Sequence, residues 1–413
     1  MDDIALMRQR VRRVVDETPV LDMHTHLYPP TFGPLLLWNV DELLTYHYLV
    51  AEVYRVAPLP YERFWAMSKT EQADHIWKHL FVLRSPVSEA CRGILTVLQA
   101  LGLDTDKRNL SAARKYFKST TVEKYVDTVL SIANVKTAVM TNDPFDDLER
   151  PSWLERRKFD GRFQAVLRID PLLRGWDKAV PRLREWGYDV RGDLAAHDIE
   201  EVKRFLRDWI DRLKPRYMAV SLPPSFAYPE ESPRARIIEH CIMPVGREAN
   251  IPFAVMIGAR LAVNPDLRLA GDGVGRADVT AVDALCQQFP QNRFLVTMLS
   301  RENQHELCVS TRKHPNLMLF GCWWFLNNPT IIRDMTSQRI EMLGLSFVPQ
   351  HSDARVLDQL IYKWAHSRAI IADVLADKYA DLIRTGWQVS EPEIRRDVTN
   401  LLADNFDKFA AHA

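Results

Sequence analysis

From residue 135 onward the chain is patterned as short apolar runs separated by helical stretches. The runs cover 135–141, 163–169, 217–222, 252–257, 294–299, 317–323 and 345–351, and an earlier one covers 20–24. They are near-continuous in apolar residues, as strands buried on both faces of a parallel sheet should be. Helical stretches such as 198–213, 233–249, 277–290 and 354–379 separate most of them. Residues 2–17 read as an amphipathic helix that ends before Pro19. Eight strand–helix units predict a (β/α)8 barrel, in which active sites lie at the C-terminal ends of the strands. A doubly wound open sheet is the rival. It usually shows a Gly-rich phosphate turn after an early strand, whereas Gly258, Gly271, Gly273 and Gly275 are spread along a loop.

The stretch 31–134 departs from this rhythm. It holds no convincing strand, and its apolar residues recur at three and four, as in Ile76, Trp77, Leu80 and Phe81 or Leu95, Leu98 and Leu101. Structureless loops of this length are rare in compact domains, so a helical insertion is expected within one barrel domain spanning 1–413. Following the first strand, it is placed to cover the strand ends as a lid. Arg84 and Arg92 within it are candidate anion contacts.

A hydrophobic fraction of 47% over 413 residues supplies a large core. Lys plus Arg and Asp plus Glu number 54 each, with no block of like charge that would serve nucleic acid or a membrane surface. A small substrate is expected instead. Five scattered cysteines without a CxxC fit a reducing cytoplasm. The N-terminus lacks a signal-peptide pattern, and no apolar run approaches ~20 residues.

The chemistry sits at strand ends. The first run ends Asp22-Met23-His24-Thr25-His26, and a strand's period of two puts both imidazoles on one face. The eighth ends His351-Ser352-Asp353-Ala354-Arg355, beside the first if the barrel closes. His24, His26 and Asp353 then form a two-nitrogen, one-carboxylate set suited to Zn²⁺, Mn²⁺ or Fe²⁺. His351 competes with Asp353 but suits the barrel interior or a supporting role. His47 and His305 lie in polar segments and read as surface or supporting residues. Arg168 with Asp170 ends the third run, Ser221 the fourth, and Gly321-Cys322-Trp323-Trp324-Phe325 follows the seventh.

Together, the His-x-His strand, the insertion, the Gly-Cys-Trp-Trp-Phe segment and Asp353-x-Arg355 resemble the uronate (glucuronate) isomerase family of the amidohydrolase superfamily. His-x-His is shared by the whole superfamily; Asp-x-Arg after the double Trp is the more specific part. The resemblance implies a distorted barrel of the metal-dependent hydrolase type and one divalent metal. It implies interconversion of D-glucuronate with D-fructuronate and of D-galacturonate with D-tagaturonate. The fourth, fifth and sixth strands end at Ser221, Met256 and near Thr297, and offer no ligands for a second metal. The chain departs from the family where Met256-Ile257-Gly258-Ala259 replaces a common His-Ile-Gly-Ala.

An aldose–ketose isomerase needs a base near C2, an acid near O1 and stabilisation of enediolate charge. Asp353 is the expected base. The resemblance places a catalytic Tyr shortly after the first strand; Tyr48 is chosen as proton donor or orienter, over Tyr46 and Tyr28. A uronate carboxylate suits a guanidinium fork, assigned to Arg168. Arg355 is expected at substrate oxygens or at the metal-site carboxylate. Ser221 and Met256 line the substrate, and Trp324 stacks nearer to it than Trp323. The partner is a small hexuronate, with zinc as the first choice of metal and a cytoplasmic homo-oligomer as the setting. The alternative is a mononuclear metal-dependent amidohydrolase or decarboxylase acting on another small acid.

Overall fold

The structure, a computed structural model, describes residues 3–411. Its β-strands are β1 (Val20–Asp22), β2 (Val135–Val139), β3 (Phe163–Gln164), β4 (Leu167–Arg168), β5 (Met218–Leu222), β6 (Phe253–Ile257), β7 (Ala259–Arg260), β8 (Gly273–Val274), β9 (Phe294–Met298) and β10 (Leu317–Leu319). Two parallel ladders run β1-β2-β3 and β4-β5-β6-β9-β10. The third stave is broken between β3 and β4, so its two halves pair with different neighbours. A parallel bridge from Asn142 to Leu167 spans the break.

The predicted eighth strand shrinks to a single bridge, Phe320 to Val348. Backbone hydrogen bonds carry the barrel on from there. Gly321 N–H donates to Val348 O (2.9 Å), Asp353 N–H to His24 O (3.0 Å) and His26 N–H to Ala354 O (2.7 Å). The ring is therefore closed by the stretch that carries the candidate metal ligands. The fold is a distorted (β/α)8 barrel.

The strands are apolar on both faces for a simple reason. In β5, β6 and β9, Met218, Val220, Phe253, Val255, Phe294 and Val296 pack outward into the main core under the helices. Their alternates Ala219, Ala254, Met256 and Leu295 fill the barrel interior with Tyr217 and Phe320. Period two with apolar residues on both sides leaves no polar face, which is why alternation was absent from the sequence.

The stretch between β1 and β2 contains seven α-helices, from Val40–Leu44 to Val122–Ala133, and no β-strand. The predicted N-terminal helix is observed as Asp3–Glu17 and the predicted 354–379 helix as Gln359–Arg384. Arg368 of the latter donates to the carbonyls of Thr18 (2.9 Å) and Asn134 (3.1 Å), tying it to the starts of β1 and β2. No described helix is long and apolar enough to cross a membrane. All five cysteines are buried and unpaired. One element was not anticipated. The loop holding Gly271, Gly273 and Gly275 folds into an antiparallel hairpin, β7 against β8.

Candidate active site

His24 and His26 leave the end of β1, and Asp353 closes the ring beside them. Asp353 Oδ1 lies 3.2 Å from His26 Nε2 and 3.5 Å from His24 Nε2. One ligand atom from each of the three lies within 4.8 Å of the others. Both ring nitrogens of His24 and Oδ1 of Asp353 are buried without an aligned hydrogen-bond partner. Orphaned acceptors are expensive in a protein interior unless a cation takes their lone pairs.

The neighbouring hydrogen bonds prepare His26 for that role. Thr141 Oγ1 donates to Thr25 O (3.2 Å), so its oxygen accepts from His26 Nδ1–H at 2.9 Å. The His26 Nε2 lone pair is thereby left facing Asp353. Burial, then Arg355, push the His26 imidazole well below its ordinary pKa, so it is neutral. Burial alone would raise the Asp353 carboxyl. His24 and His26 outweigh it and hold that group well below the usual carboxylate range. A neutral imidazole and an ionised carboxylate are the forms that bind a divalent metal.

Asp353 adopts a left-handed backbone conformation, with φ 51°. Its surroundings enforce this. Ser352 O accepts from buried Lys363 Nζ (2.6 Å) and Asn327 Nδ2 (3.1 Å), and Ser352 N–H donates to Asp22 Oδ1 (3.0 Å). Trp364 Nε1–H holds the other Asp22 oxygen at 2.8 Å. Such strain in a non-glycine residue persists only where neighbours over-determine it, and active sites are where it collects.

His351 is not grouped with the ligands. It is fully buried with its ring 5.0 Å from that of His24, filling the barrel interior as one sequence reading allowed. Gly321 leaves room for it: a Cβ there would lie 1.9 Å from the His351 ring, and its φ of 67° also favours glycine.

A cavity of about 140 Å³ opens over the ligands, and Arg168, Ser221, Met256, Trp324 and Arg355 stand on its walls. An outer chamber of about 370 Å³ adjoins it, sharing His26, His47, Leu269 and Arg355. Ser221 and Met256 face each other in register across β5 and β6. Arg168 is already engaged. Its Nε and Nη2 donate to Asp170 Oδ2 (3.0 Å) and Oδ1 (2.8 Å). That carboxylate outweighs burial and keeps the guanidinium charged. One edge of the fork is thus fixed by Asp170. Arg174, one turn further along the helix Asp170–Arg174, reaches the same wall and lies 3.8 Å from Asp170.

Tyr48 is half-buried and lines neither chamber, and its hydroxyl donates to Trp324 O (3.1 Å). Tyr46 lines the outer chamber instead. Trp324, with φ 46°, stacks on Phe325, and its indole N–H donates to His47 Nε2 at 3.0 Å. His47 is therefore not a surface residue, whereas His305 is exposed. Neither Arg84 nor Arg92 lies on the walls of either chamber. Arg84 lines a separate surface groove, and Arg92 pairs with Glu89.

Sequence reasoning left His47 as a surface or supporting residue, and it missed Asp170 as a partner, Arg174, Lys363 and the β7–β8 hairpin. The adjacency of Asp170 to Arg168 was a usable signal. A lysine in a long apolar helix, such as Lys363, gave none.

No family model matches the chain, and no curated protein does. Solved structures do. A uronate isomerase from Bacillus halodurans C-125 is 58% identical, covers 100% of this chain and 98% of its own, and superposes with a TM-score of 0.98. A uronate isomerase from Thermotoga maritima is 16% identical over 98% of this chain and 97% of its own, with a TM-score of 0.80. A glucuronate isomerase from Caulobacter crescentus is 16% identical over 99% of this chain and 95% of its own, also at 0.80. At that identity the last two speak for the fold alone.

Proposed function

This chain belongs to the uronate isomerase family and is an aldose–ketose isomerase, and we propose that it interconverts D-glucuronate with D-fructuronate and D-galacturonate with D-tagaturonate. The observation that carries the chemistry is the convergence of His24, His26 and Asp353 under a cavity that Arg168, Arg174 and Arg355 also line. His24, His26 and Asp353 would hold one divalent metal, for which we propose zinc, with manganese and iron as the other cations such donors suit. When bound, the metal supplies Lewis-acid polarisation of the sugar carbonyl.

The protein's own groups do the rest. Asp353 takes the proton from C2 and returns it to C1, while the O2 hydroxyl proton passes to O1, so that the aldose becomes the ketose through a cis-enediol. Arg355 offsets the charge that develops on the enediolate oxygens. Arg168, aimed by Asp170 and joined by Arg174, holds the C6 carboxylate at the opposite wall. Ser221 and Met256 floor the cavity beneath the sugar carbons. Tyr48 acts as an orienter, holding the Trp324 carbonyl and so the wall that Trp324 forms. The helical insertion 31–134 and the β7–β8 hairpin close over the sugar and exclude water from the enediol. We assign the enzyme to the cytoplasm as a homo-oligomer with no nucleic-acid or membrane partner. A hydrolase or decarboxylase on the same barrel is not favoured by the comparison.

The deciding experiment is incubation of the zinc-loaded protein with each hexuronate in D₂O, followed by NMR. A 2-keto sugar acid with partial deuterium at C1 is expected. No turnover of either hexuronate by metal-replete protein would remove this reading.

A further inference from the structure

Away from the two chambers, the insertion carries another pair of imidazoles one helical turn apart. His75 lies on the helix Lys69–Trp77, and His79 in the π-helical turn Lys78–Val82 that continues it. Residues four apart share a helix face, and a helical side chain leans back over the preceding turn. The two ring centroids are accordingly 4.6 Å apart, at an interplanar angle of 54°. Both residues are half-buried at the protein surface, and neither lines a chamber. The sugar chemistry proposed above makes no use of them.

Hydrogen bonding decides which His75 nitrogen is available. Its Nε2 lies 3.1 Å from Ala57 O. A carbonyl only accepts, so Nε2 carries the proton and Nδ1 of the neutral ring keeps a lone pair. A metal-bound imidazole is ordinarily held this way, with its far N–H on a carbonyl that fixes tautomer and orientation. The Phe64 ring packs edge-on against His75 as well, at 6.2 Å between centroids. His75 Nδ1 and both His79 nitrogens have no hydrogen-bond partner among the described residues, and none is sealed from solvent. Burial, then His75, Lys78 and Arg84, push the His79 imidazole down, which favours its neutral, ligating form. Lys78 and Arg84 are themselves exposed, where salt screens their repulsion of a cation. The π-helical turn is a second pointer, because such turns are rare and collect at functional positions.

We propose that His75 and His79 form a second metal site, which binds one divalent ion of the nickel, copper and zinc group through two imidazoles, with water at the remaining positions. The spacing supports it. A metal–nitrogen bond of about 2.1 Å puts each ring centroid ~3.2 Å from an ion on both lone pairs. Centroids 4.6 Å apart then subtend roughly 90°, the angle between neighbouring ligands in square-planar or octahedral coordination. Two imidazoles without a carboxylate hold zinc less tightly than His24, His26 and Asp353 together, so desalting empties this site first. A bound ion polarises the His75 Nε2–H and strengthens its bond to Ala57. Ala57 caps the helix His47–Val56, whose Val50 lines the outer chamber. The ion thus ties the end of that helix to Lys69–Trp77 and stiffens the insertion beside the chamber.

Copper reads the site directly, being the ion that nitrogen donors of this kind bind most tightly. An equimolar amount of Cu²⁺ is added to zinc-loaded, desalted protein and followed by calorimetry and pulsed electron paramagnetic resonance. Two equatorial imidazoles are expected, with the catalytic zinc retained. His75→Gln and His79→Gln should each weaken copper binding at least on the order of tenfold and lose the two-imidazole signature. The kcat of zinc-loaded His79→Gln should equal that of wild type. Copper bound to either variant as tightly as to wild type would overturn the second site. So would a single imidazole in wild type, or copper that enters only by displacing the catalytic zinc. Hydrogen exchange gives a readout apart from affinity. Copper should slow exchange across 54–58 and 72–80 in wild type and leave it unchanged in His79→Gln. Unaltered exchange in copper-bound wild type would remove the tie between the two helices.

Discussion

Asp353 is proposed both as a metal ligand and as the base, and its geometry suits one side chain to both. Its backbone is held in a left-handed turn by His24, Lys363, Asn327 and Asp22, so the carboxylate is aimed without any freedom of its own. Asp353→Asn keeps the shape and removes the charge. Zinc content measured by mass spectrometry should fall to substoichiometric, and kcat by on the order of 10³-fold. Retention of both would displace Asp353 from the site. Glu149 raises a different issue. Its buried carboxyl accepts from Asn142, Trp153, Asp143 and Tyr28, tying the loop after β2 to the first strand's exit. Burial still pushes it up to about 7. A carboxyl raised in the fold binds more protons folded than unfolded. Its contribution is therefore complete at low pH and is lost as pH rises from the ordinary carboxylate range through about 7. Urea unfolding of wild type and Glu149→Gln at pH 5 and pH 8 should show a shallower decline with pH in the variant. Parallel declines would count against this assignment.

Among the elements, the β7–β8 hairpin contributes most that the pattern of the chain did not announce. Its loop puts Leu261, Leu269 and Asp272 on the inner cavity's wall, although Leu261 and Leu269 are 52% and 60% exposed. Exposed leucines over a polar site are what a cover requires. The loop is pinned to the helix Tyr61–Ala66 of the insertion. Trp65 Nε1–H donates to Asp266 O (2.8 Å), Asn264 reaches Tyr61 OH (3.1 Å), and the Arg268 guanidinium lies 4.4 Å over the Trp65 ring. Trp65→Ala removes a hydrogen bond and a cation–π contact, together about 1–2 kcal/mol of local stability. Faster hydrogen exchange across 261–272 is expected, with KM raised several-fold and kcat changed less. Unaltered exchange would mean that the insertion does not hold this cover.

For the molecule as a whole, the candidate metal ligands and the closure of the barrel coincide. The first and last staves meet through the backbone of His24, His26, Asp353 and Ala354, while the eighth stave's own pairing is a single bridge. A cation bound by these residues would bridge the weakest seam of the ring. Ligand binding to the folded state stabilises by mass action, about 2.7 kcal/mol at 100 times Kd. Chelation should lower the melting temperature by several degrees and release exchange protection first at residues 20–26 and 351–354. Loss distributed evenly over the barrel would show that the seam does not depend on the metal.

The barrel was legible because its cause is local. Strands buried on two faces need apolar residues at both parities, and helices over them need a period near four, so eight runs and their order could be read along the chain. His24-Thr25-His26 was legible for the same reason, since period two places both rings together. Met256 and Ser221 could be placed because strand ends in a barrel share one rim. The break of the third stave, the loss of the eighth and the β7–β8 hairpin could not be read, because pairing register depends on neighbours hundreds of residues away. Nor could the state of His47, whose polar segment allowed either a surface or a supporting place. Its tautomer is set by Trp324, 277 positions later. Composition and periodicity decide which segments are buried. Only closure of the ring decides which buried groups meet.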